Sequence, residues 1–415
     1  MIATLCERFG ISGPLRAAAM RADARVAGVD YPAQRAVAAN VLHAFAAQGL
    51  AESDLAGTTG YGYDDPARAS YEALLARLFG AERALARLSL VSGTHAIVTA
   101  LAACVPAGTR VLVVSGRPYD TLRNAICDAP HALVRQGMEY DEIALCADGT
   151  IDLEAVSRAF AARAYAVVFL QRSRGYAPRR SLSIAQCEGA AAAIKAIDPS
   201  VAILVDNCYG ELVEAREPTH AGADLAIGSL IKNLGGSIAP AGAYVIGRAD
   251  LVERVAARLY APGIGAALGP SLGFGRAFVQ GLFQAPLIVE QTLRGLDFAA
   301  ALFDELGYLV DPQPGETRTD IVQAIRLGTP ERLVRFARGL QAALPVNARF
   351  RPEPGAVPGY ADPVIMSSGA FVAGATIELS CDAPMRQPYE VYLQGGISAA
   401  HGYLGALLAA RALEA

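Results

Sequence analysis

Five short apolar runs, rich in β-branched residues and alternating with helical segments, constrain the fold of this chain most strongly. They are RVLVVSG (110–116), YAVVFLQ (165–171), VAILVDN (201–207), LAIGSL (225–230) and AYVIG (243–247). Continuous apolar strands of this kind occur in parallel sheets that helices cover on both faces. The sequence therefore predicts an α/β fold with a mostly parallel sheet.

The length of 415 residues suggests more than one domain, because single cores stop growing at roughly 250–300 residues. An Ala-rich helical pattern covers residues 1–55, and GTTGYGYDD interrupts it. After Gly295 the pattern changes to helices, a Pro- and Gly-rich stretch (RPEPGAVPGYADP), ATIELS, the loop CDAPMRQPY and a final helix. We predict an N-terminal helical segment (1–55), a large domain (56–295) and a smaller α+β C-terminal domain (296–415).

Composition argues against several classes of protein. Although 53% of the residues are hydrophobic, no uncharged apolar stretch reaches the roughly 18 residues of a membrane span, and the N-terminus lacks a secretory pattern. Seven cysteines without CxxC or Cys/His spacing favour buried free thiols over disulfides or a metal site. The net charge of -4 and the scattered arginines offer no basic face for nucleic acid. We expect a cytoplasmic enzyme without a membrane or nucleic-acid partner.

Lysine is nearly absent from the chain. Of 36 basic residues only Lys195 and Lys232 are lysines. Arginine cannot replace lysine in Schiff-base chemistry because its guanidinium stays protonated. The alternative is that codon bias explains the low lysine content and that these two lysines remain by chance. The residues around each lysine must therefore show whether it has a functional role.

Polar residues that follow the apolar runs are candidates for a ligand site, because ligands of open α/β sheets bind beyond the carboxyl ends of the strands. Lys232 follows one run in GSLIKN, where apolar surroundings should make its amine lose charge more easily; a surface lysine is the alternative. Asp206 ends another run in ILVDNCYGE, and a buried carboxylate needs a partner. A protonated pyridine nitrogen would be such a partner, and an Asx-turn or N-cap is the alternative.

Three further segments of the sequence carry residues that could bind a ligand. Ser92, Gly93 and Thr94 precede a helix in VSGTHAI, where backbone amides and the helix dipole favour a phosphate; an ordinary N-cap turn is the alternative. Tyr119 of RPYDT could stack on a flat aromatic cofactor or simply place its ring in the core. Arg174 follows a strand in QRSRGY and could recognise a carboxylate or belong to a solvated turn.

A phosphate turn, a stacking tyrosine, a strand-end aspartate and then a lysine, in this order, predict pyridoxal 5'-phosphate (PLP) as the cofactor. With these residues the chain resembles the aluminium-resistance or methionine gamma-lyase-like proteins, a branch of the PLP-dependent enzymes with the aspartate aminotransferase-type fold (fold type I). The motifs that carry the resemblance span nearly the whole chain: GTTGYGYDD, SGTHA, RPYDT, QRSRGY, VDNCYGE, GADL, GSLIKN, APGIG, RTDI, PGY, DPVIM, IELS and YLQGG.

The resemblance implies a role for each matching residue. Lys232 would form the Schiff base, Asp206 would pair with the pyridine nitrogen, and Tyr119 would stack on the ring and shuttle protons. The phosphate would be held by Ser92, Gly93, Thr94 and Ser229.

The resemblance also implies that active sites are shared between subunits and that an arginine binds the substrate carboxylate. Tyr61 or Tyr63 would reach the phosphate of a neighbouring subunit in a homodimer or homotetramer. Arg386 and Arg174 are the candidates for binding the substrate carboxylate.

The implied activity is elimination, most simply gamma-elimination from methionine or a related Cγ-substituted amino acid. After the lysine, the sequence reads NLGGS where the family usually has NPGGG, so Leu234 and Ser237 depart from the family pattern. Ala243 departs from it as well, because the family usually has a Gly before the Tyr that follows. These departures keep open an unusual substrate, such as a halogenated amino acid that would give an unsaturated product. The resemblance is also compatible with a beta-lyase, a gamma-replacement enzyme or a PLP-binding stress protein without lyase activity.

Overall fold

The computed structural model describes residues 1–414 and contains two sheets. The strands of the larger sheet are β1 (Arg83–Arg87), β2 (Arg110–Val113), β3 (Glu139–Glu142), β4 (Val167–Gln171), β5 (Ala202–Asp206), β6 (Leu225–Ser229) and β7 (Ala243–Gly247). Their order is β1-β7-β6-β5-β4-β2-β3. Strands β2 to β6 are parallel, and β7 runs antiparallel between β6 and β1. This confirms the predicted mostly parallel sheet, and all five apolar runs form strands.

The strands of the smaller sheet are β8 (Leu309–Asp311), β9 (Val322–Arg326), β10 (Val364–Ser367), β11 (Ser380–Pro384) and β12 (Glu390–Gln394). They pair antiparallel in the order β10-β11-β12-β9-β8. One expectation is wrong here: the first residues of the expected loop CDAPMRQPY belong to β11. Their side chains are buried, and their backbone pairs with β10 and β12.

The α-helices are α1 (Ile2–Arg8), α2 (Gly13–Val26), α3 (Pro32–Gln48), α4 (Pro66–Leu78), α5 (Gly93–Cys104), α6 (Asp120–Arg123), α7 (Leu153–Ala162), α8 (Ile184–Ile197), α9 (Ala249–Leu259), α10 (Gly275–Glu305), α11 (Pro330–Gln341) and α12 (Ala399–Glu414). None of the helices within residues 1–414 is long and apolar enough to cross a membrane.

Both faces of the large sheet are covered by helices, and alternate residues of each strand point to opposite cores. On one face Phe169 and Leu204 pack with Leu101 of α5 and Val252 of α9. On the other face the residues between them in the strands pack against α7 and α8, where Ile194 is fully buried. This two-sided burial explains why the strands are continuously apolar.

The predicted division of the chain into segments ending at residues 55 and 295 stays a prediction. Helices α1 to α3 lie within the first segment, and α2 and α3 pack on α10. Helix α10 runs continuously across residue 295 and joins the two sheets.

A buried ion pair joins Asp297 of α10 to Arg318, which lies between β8 and β9 of the small sheet. Tyr31 of the N-terminal segment bonds to the same carboxylate. Arg318 Nε lies 2.6 Å from Asp297 Oδ1, and both side chains are almost fully buried. The Tyr31 hydroxyl donates to Asp297 Oδ2 at 2.5 Å, and Arg318 also donates to Gln323. Breaking such a pair leaves an uncompensated buried charge.

We predict that Asp297→Ala lowers the free energy of unfolding by roughly 3–5 kcal/mol, measured by urea unfolding at fixed protein and cofactor concentrations. The control is Arg216→Ala, which breaks the exposed Arg216–Glu188 pair, whose side chains are 48% and 46% exposed; its effect on the free energy of unfolding should be much smaller, because water screens exposed ion pairs. Equal effects of the two substitutions would contradict the role given to the buried pair.

Candidate active site

A cavity of about 390 Å³ lies at the carboxyl ends of β4, β5 and β6, facing the small sheet. The parallel strands bring their polar terminal residues to this one edge. Seven of the residues predicted from the sequence line the cavity: Ser92, Gly93, Thr94, Tyr119, Asp206, Ser229 and Lys232. Residues separated by up to 140 positions in the chain thus meet in one place.

Lys232 follows β6 and extends its amine over the ring of Tyr209, with 3.6 Å between Nζ and the ring centroid. Burial alone would lower the pKa of the amine, as expected from the sequence. The neighbouring acidic groups, including Cys208, Tyr209 and Asp206, outweigh this effect and raise the pKa of Lys232 well above its usual value. The pKa of Lys232 thus shifts in the direction opposite to the one expected from the sequence, because its surroundings are acidic as well as buried.

Lys195 has a structural role at the opposite edge of the sheet. Its Nζ lies 2.9 Å from Asp224 Oδ2 and donates to the Val201 carbonyl at 2.7 Å. Asp224 and Val201 directly precede β6 and β5, at their amino ends. Of the two lysines, Lys232 alone reaches the cavity.

Asp206 is the last residue of β5 and is buried where the strand meets the cavity. Its carboxylate accepts a hydrogen bond from the Cys208 amide at 3.1 Å. Burial raises the pKa of Asp206, and the charge of Lys232 offsets this only in part. A cationic ring nitrogen beside Asp206 would supply the missing compensation, so the carboxylate fits the pyridine of PLP.

The N-terminus of α5 forms a cradle suited to a phosphate. The Ser92 side chain accepts a hydrogen bond from the His95 amide at 3.1 Å, so an ordinary N-cap is also present. A Cβ added to Gly93 would lie 3.1 Å from Cys208 Sγ and 3.7 Å from Ser229 Cβ, so glycine lets the helix approach the strand ends closely. The amides of the first turn, the dipole of α5 and the Ser229 hydroxyl together fit a bound anion.

Tyr119 stands beside this cradle. Its hydroxyl lies 2.6 Å from Thr94 Oγ1, and its amide donates to Gln171 Oε1 at 3.0 Å. Burial, followed by the nearby Asp206 carboxylate, raises the pKa of Tyr119 well above its usual value. The phenol therefore stays protonated and can donate a hydrogen bond; its stacking on a cofactor ring remains a prediction.

The two arginine candidates lie outside the cavity lining. Arg174 is buried and pairs with Asp311 at 2.7 Å. Arg386 is 35% exposed in its side chain, pairs with Asp120 at 3.1 Å, and donates to the Tyr176 carbonyl at 3.2 Å. Arg386 therefore contacts Tyr176, which lines the cavity, and Arg174 lies between Ser173 and Gly175, which also line it.

Tyr61 and Tyr63 also lie outside the cavity of their own subunit. They are 76% and 55% exposed, and their ring centroids are 6.1 Å apart. Their proposed contact with a second subunit stays a prediction.

Sequence reasoning missed several residues that line the cavity. Gln171, Ser173, Cys208 and Tyr209 follow strands, so the strand-end rule could have found them. The other lining residues outside the predicted set are Val91, Thr121, Gly175, Tyr176, Ile231, Val357, Tyr360, Val364, Met366 and Gly374. Those of the small sheet and of the segment before β10 carry no local signal in the sequence.

Comparison with known proteins identifies the family. The family model described as methionine gamma-lyase matches residues 17–414. The chain belongs to the methionine gamma-lyase family. The uncharacterized protein YnbB of Bacillus subtilis (strain 168) is 39% identical over 394 residues, which are 93% of each chain.

Solved structures agree with this membership over the full length. A candidate cystathionine beta-lyase involved in aluminium resistance from Clostridium acetobutylicum is 36% identical, with a TM-score of 0.94 and coverage of 99% of this chain and 98% of that one. A carbon-sulfur lyase involved in aluminium resistance from Clostridium novyi NT is 36% identical, with a TM-score of 0.87 and coverage of 99% and 95%.

The predicted family, fold and cofactor are confirmed. The PLP-dependent protein YhfS of Escherichia coli shares the fold at 19% identity, with a TM-score of 0.59 and coverage of 91% of this chain and 96% of that one. Methionine gamma-lyase family proteins use PLP, and the fold is that of the PLP-dependent fold type I enzymes. This protein is a PLP-dependent lyase, and its cavity offers groups suited to the phosphate, the ring nitrogen and the aldehyde of PLP.

We predict that borohydride reduction of the yellow holoenzyme attaches the cofactor to Lys232, because that amine alone among the lysines reaches the cavity. Peptide mapping by mass spectrometry identifies the labelled residue. Lys195→Arg is the matched control and should be labelled like the wild type, whereas Lys232→Arg should not be labelled. Reduced cofactor on Lys195, or on neither lysine, would overturn the assignment.

Proposed function

We propose that this protein is a carbon-sulfur lyase that removes the Cγ substituent of methionine or a related amino acid. Methionine and water would give methanethiol, ammonia and 2-oxobutanoate. The family membership and the carbon-sulfur lyase from Clostridium novyi support the reaction class. The lining of the cavity supports the choice of substrate.

The outer wall of the cavity is largely apolar. Ile231 follows β6, Val357 lies in the Pro- and Gly-rich stretch, and Val364 and Met366 lie in β10 of the small sheet. The charged side chains that line the cavity within residues 1–414 are Asp206 and Lys232, both of which are assigned to the cofactor. An alkyl thioether needs no charged partner, whereas the second ammonium and carboxylate of cystathionine would be costly to bury there.

Three of the residues that line the cavity, Asp206, Lys232 and Tyr119, then have a role in the reaction. When bound, PLP supplies an electron-withdrawing ring that stabilises negative charge developing at the substrate Cα. Lys232 would hold the cofactor covalently, and its free amine would act as the general base for the Cα proton. Asp206 keeps the ring nitrogen protonated.

The later proton transfers need a second group. The neutral Tyr119 phenol is placed by the Thr94 hydroxyl and can donate a proton to the departing sulfur, while Lys232 remains available for protons at Cβ. For the substrate carboxylate we propose Arg386 rather than Arg174. Arg386 is partly exposed and lies beside a residue that lines the cavity, so it can turn inward, whereas Arg174 is buried in its pair with Asp311.

Beta-elimination is the second candidate activity, because the Clostridium acetobutylicum relative carries the name of a cystathionine beta-lyase and the first proton removal is common to both reactions. A halogenated substrate gains no support: Leu234, Ser237 and Ala243 do not line the cavity. A PLP-binding stress protein without lyase activity gains less support, because the family model and the Clostridium novyi structure are described as lyases.

We further propose that the active unit is a homodimer, or a tetramer of two such dimers, with Tyr61 or Tyr63 completing the neighbour's phosphate site. One surface depression is lined by Tyr61, Leu88, Ser89 and Leu272; Leu272 is 50% exposed, and Val91, two residues after Ser89, is 72% exposed. The Leu272 amide donates to the Thr58 carbonyl, which keeps this loop beside the Tyr61 segment. Val91 also lines the cavity, so a subunit covering this surface would reach the site.

The substrate proposal predicts that kcat/KM for L-methionine exceeds that for L-cystathionine by at least about tenfold, which corresponds to roughly 1.4 kcal/mol, because of the uncharged outer wall. Release of 2-oxo acid and ammonia is measured with each substrate, and Lys232→Ala provides the inactive control. Pyruvate and homocysteine from cystathionine, formed faster than 2-oxobutanoate from methionine, would replace the proposed gamma-elimination with beta-elimination. No keto acid from any thioether amino acid would refute the lyase proposal.

The dimer proposal predicts complementation between two inactive variants, Lys232→Ala and the double variant Tyr61→Ala/Tyr63→Ala. After subunit exchange, a hybrid dimer has one site with both Lys232 and the partner's tyrosines intact, so activity should return. Subunit exchange is checked with differently tagged subunits. Verified hybrids without activity, or a fully active monomer in sedimentation, would contradict a shared site.

A further inference from the structure

The ring of Tyr209 is the nearest aromatic surface to the Lys232 amine, with 3.6 Å between Nζ and the ring centroid. An ammonium group within about 6 Å of such a centroid is attracted by the ring face. Tyr209 lines the cavity between Asp206 and the small sheet. It is thus placed to hold the lysine amine without bonding to it covalently.

The backbone of Tyr209 is held in an unfavourable conformation. Its φ is 73°, in the left-handed region that bulky residues rarely adopt. Such conformations persist where the surrounding structure enforces them, and they concentrate at functional sites.

Two hydrogen bonds from different parts of the molecule hold this conformation. The Tyr209 carbonyl accepts from Asn233 Nδ2 and from the Ile321 amide, both at 3.1 Å. Asn233 is the neighbour of Lys232, and its amide group also donates to the Glu211 carbonyl at 2.8 Å. Ile321 lies in the segment before β9 of the small sheet. The loop that carries the lysine and the segment before β9 therefore both hold the backbone of Tyr209.

The other groups around Lys232 are acids or weak acids: Tyr119, Asp206, Cys208, Glu211 and Asp382. Asp206 is assigned to the cofactor nitrogen. The Glu211 carboxylate accepts from the Tyr244 hydroxyl at 2.9 Å, and the Asp382 carboxylate accepts from Tyr176 at 2.7 Å. The face of Tyr209 is a weaker partner than a carboxylate, so it can hold an ammonium that must later give up its proton.

We propose that Tyr209 is a positioning residue, whose ring face is the resting place of the Lys232 amine whenever that amine is not bonded to the cofactor. The proposal rests on the assignment of Lys232 as the cofactor lysine. In this position the amine stays beside the cavity during each turnover and does not form an ion pair with Glu211 or Asp382.

The shortage of lysines allows a direct test. Full-length protein labelled with ¹³C at lysine Cε gives two lysine side-chain signals, and Lys195→Arg assigns them. The protein is loaded with the reduced conjugate of PLP and methionine, which fills the cofactor and substrate positions but cannot bond to Lys232. Protons above an aromatic face are shifted upfield by the ring current, and Lys195 serves as the internal reference.

The expected result is an upfield Lys232 signal in the wild type and in Tyr209→Phe, which keeps the ring. In Tyr209→Leu the signal should return to the Lys195 position, and kcat should fall more than KM rises. A Lys232 signal at the Lys195 position in the wild type, or one that Tyr209→Leu leaves unchanged, would overturn the proposal. If Tyr209→Leu does not fold, the wild-type and Tyr209→Phe spectra still decide.

Failure of this proposal is separable from failure of the cofactor assignment. Borohydride labelling of Lys232 together with an unshifted signal would reject only the role of Tyr209. Labelling of another residue would reject the assignment of Lys232 itself.

Discussion

The parallel arrangement of β4, β5 and β6 is the constraint on which the site depends. In this arrangement the carboxyl ends of neighbouring strands share one edge, so Gln171 and Asp206 stand in register and Lys232 follows the next strand. The apolar bodies of the strands are buried between two layers of helices. Polar groups can therefore collect only where the strands end, and there they face a cavity instead of the core.

Burial at this edge gives the residues their chemical character. Asp206 and Lys232 are held close together in a buried setting, and the pKa values of both are raised. A cationic ring nitrogen beside Asp206 would favour the charged carboxylate and lower its pKa. The network behind the site supports this arrangement: buried Arg172 donates to Asn207 at 2.5 Å and pairs with Glu214 at 2.6 Å. It also donates to the Thr319 carbonyl, which joins the site to the chain leading into the small sheet.

The sequence predicts the large sheet and the strand-end residues well because both follow from one local pattern, an apolar run followed by a polar residue. It misses β3 (Glu139–Glu142), an edge strand whose four residues are Glu, Tyr, Asp and Glu, because such a strand needs no apolar pattern. The sequence does not mark Tyr209 because its left-handed backbone conformation is held by hydrogen bonds to its carbonyl from Asn233 and Ile321, which are distant in sequence. Arg174 could not be distinguished from its neighbours in QRSRGY, because its pairing with Asp311 is set by tertiary structure.

The central claim is that one edge of the sheet forms a single PLP site from α5, Asp206 and Lys232. A crystal structure of the holoenzyme tests it most directly. The electron density should show the phosphate at the amides that follow Ser92, the ring nitrogen within hydrogen-bond distance of Asp206, and a covalent bond from the cofactor to Lys232. Cofactor density elsewhere, or at this edge but bonded to another residue or turned away from Asp206, would contradict the claim.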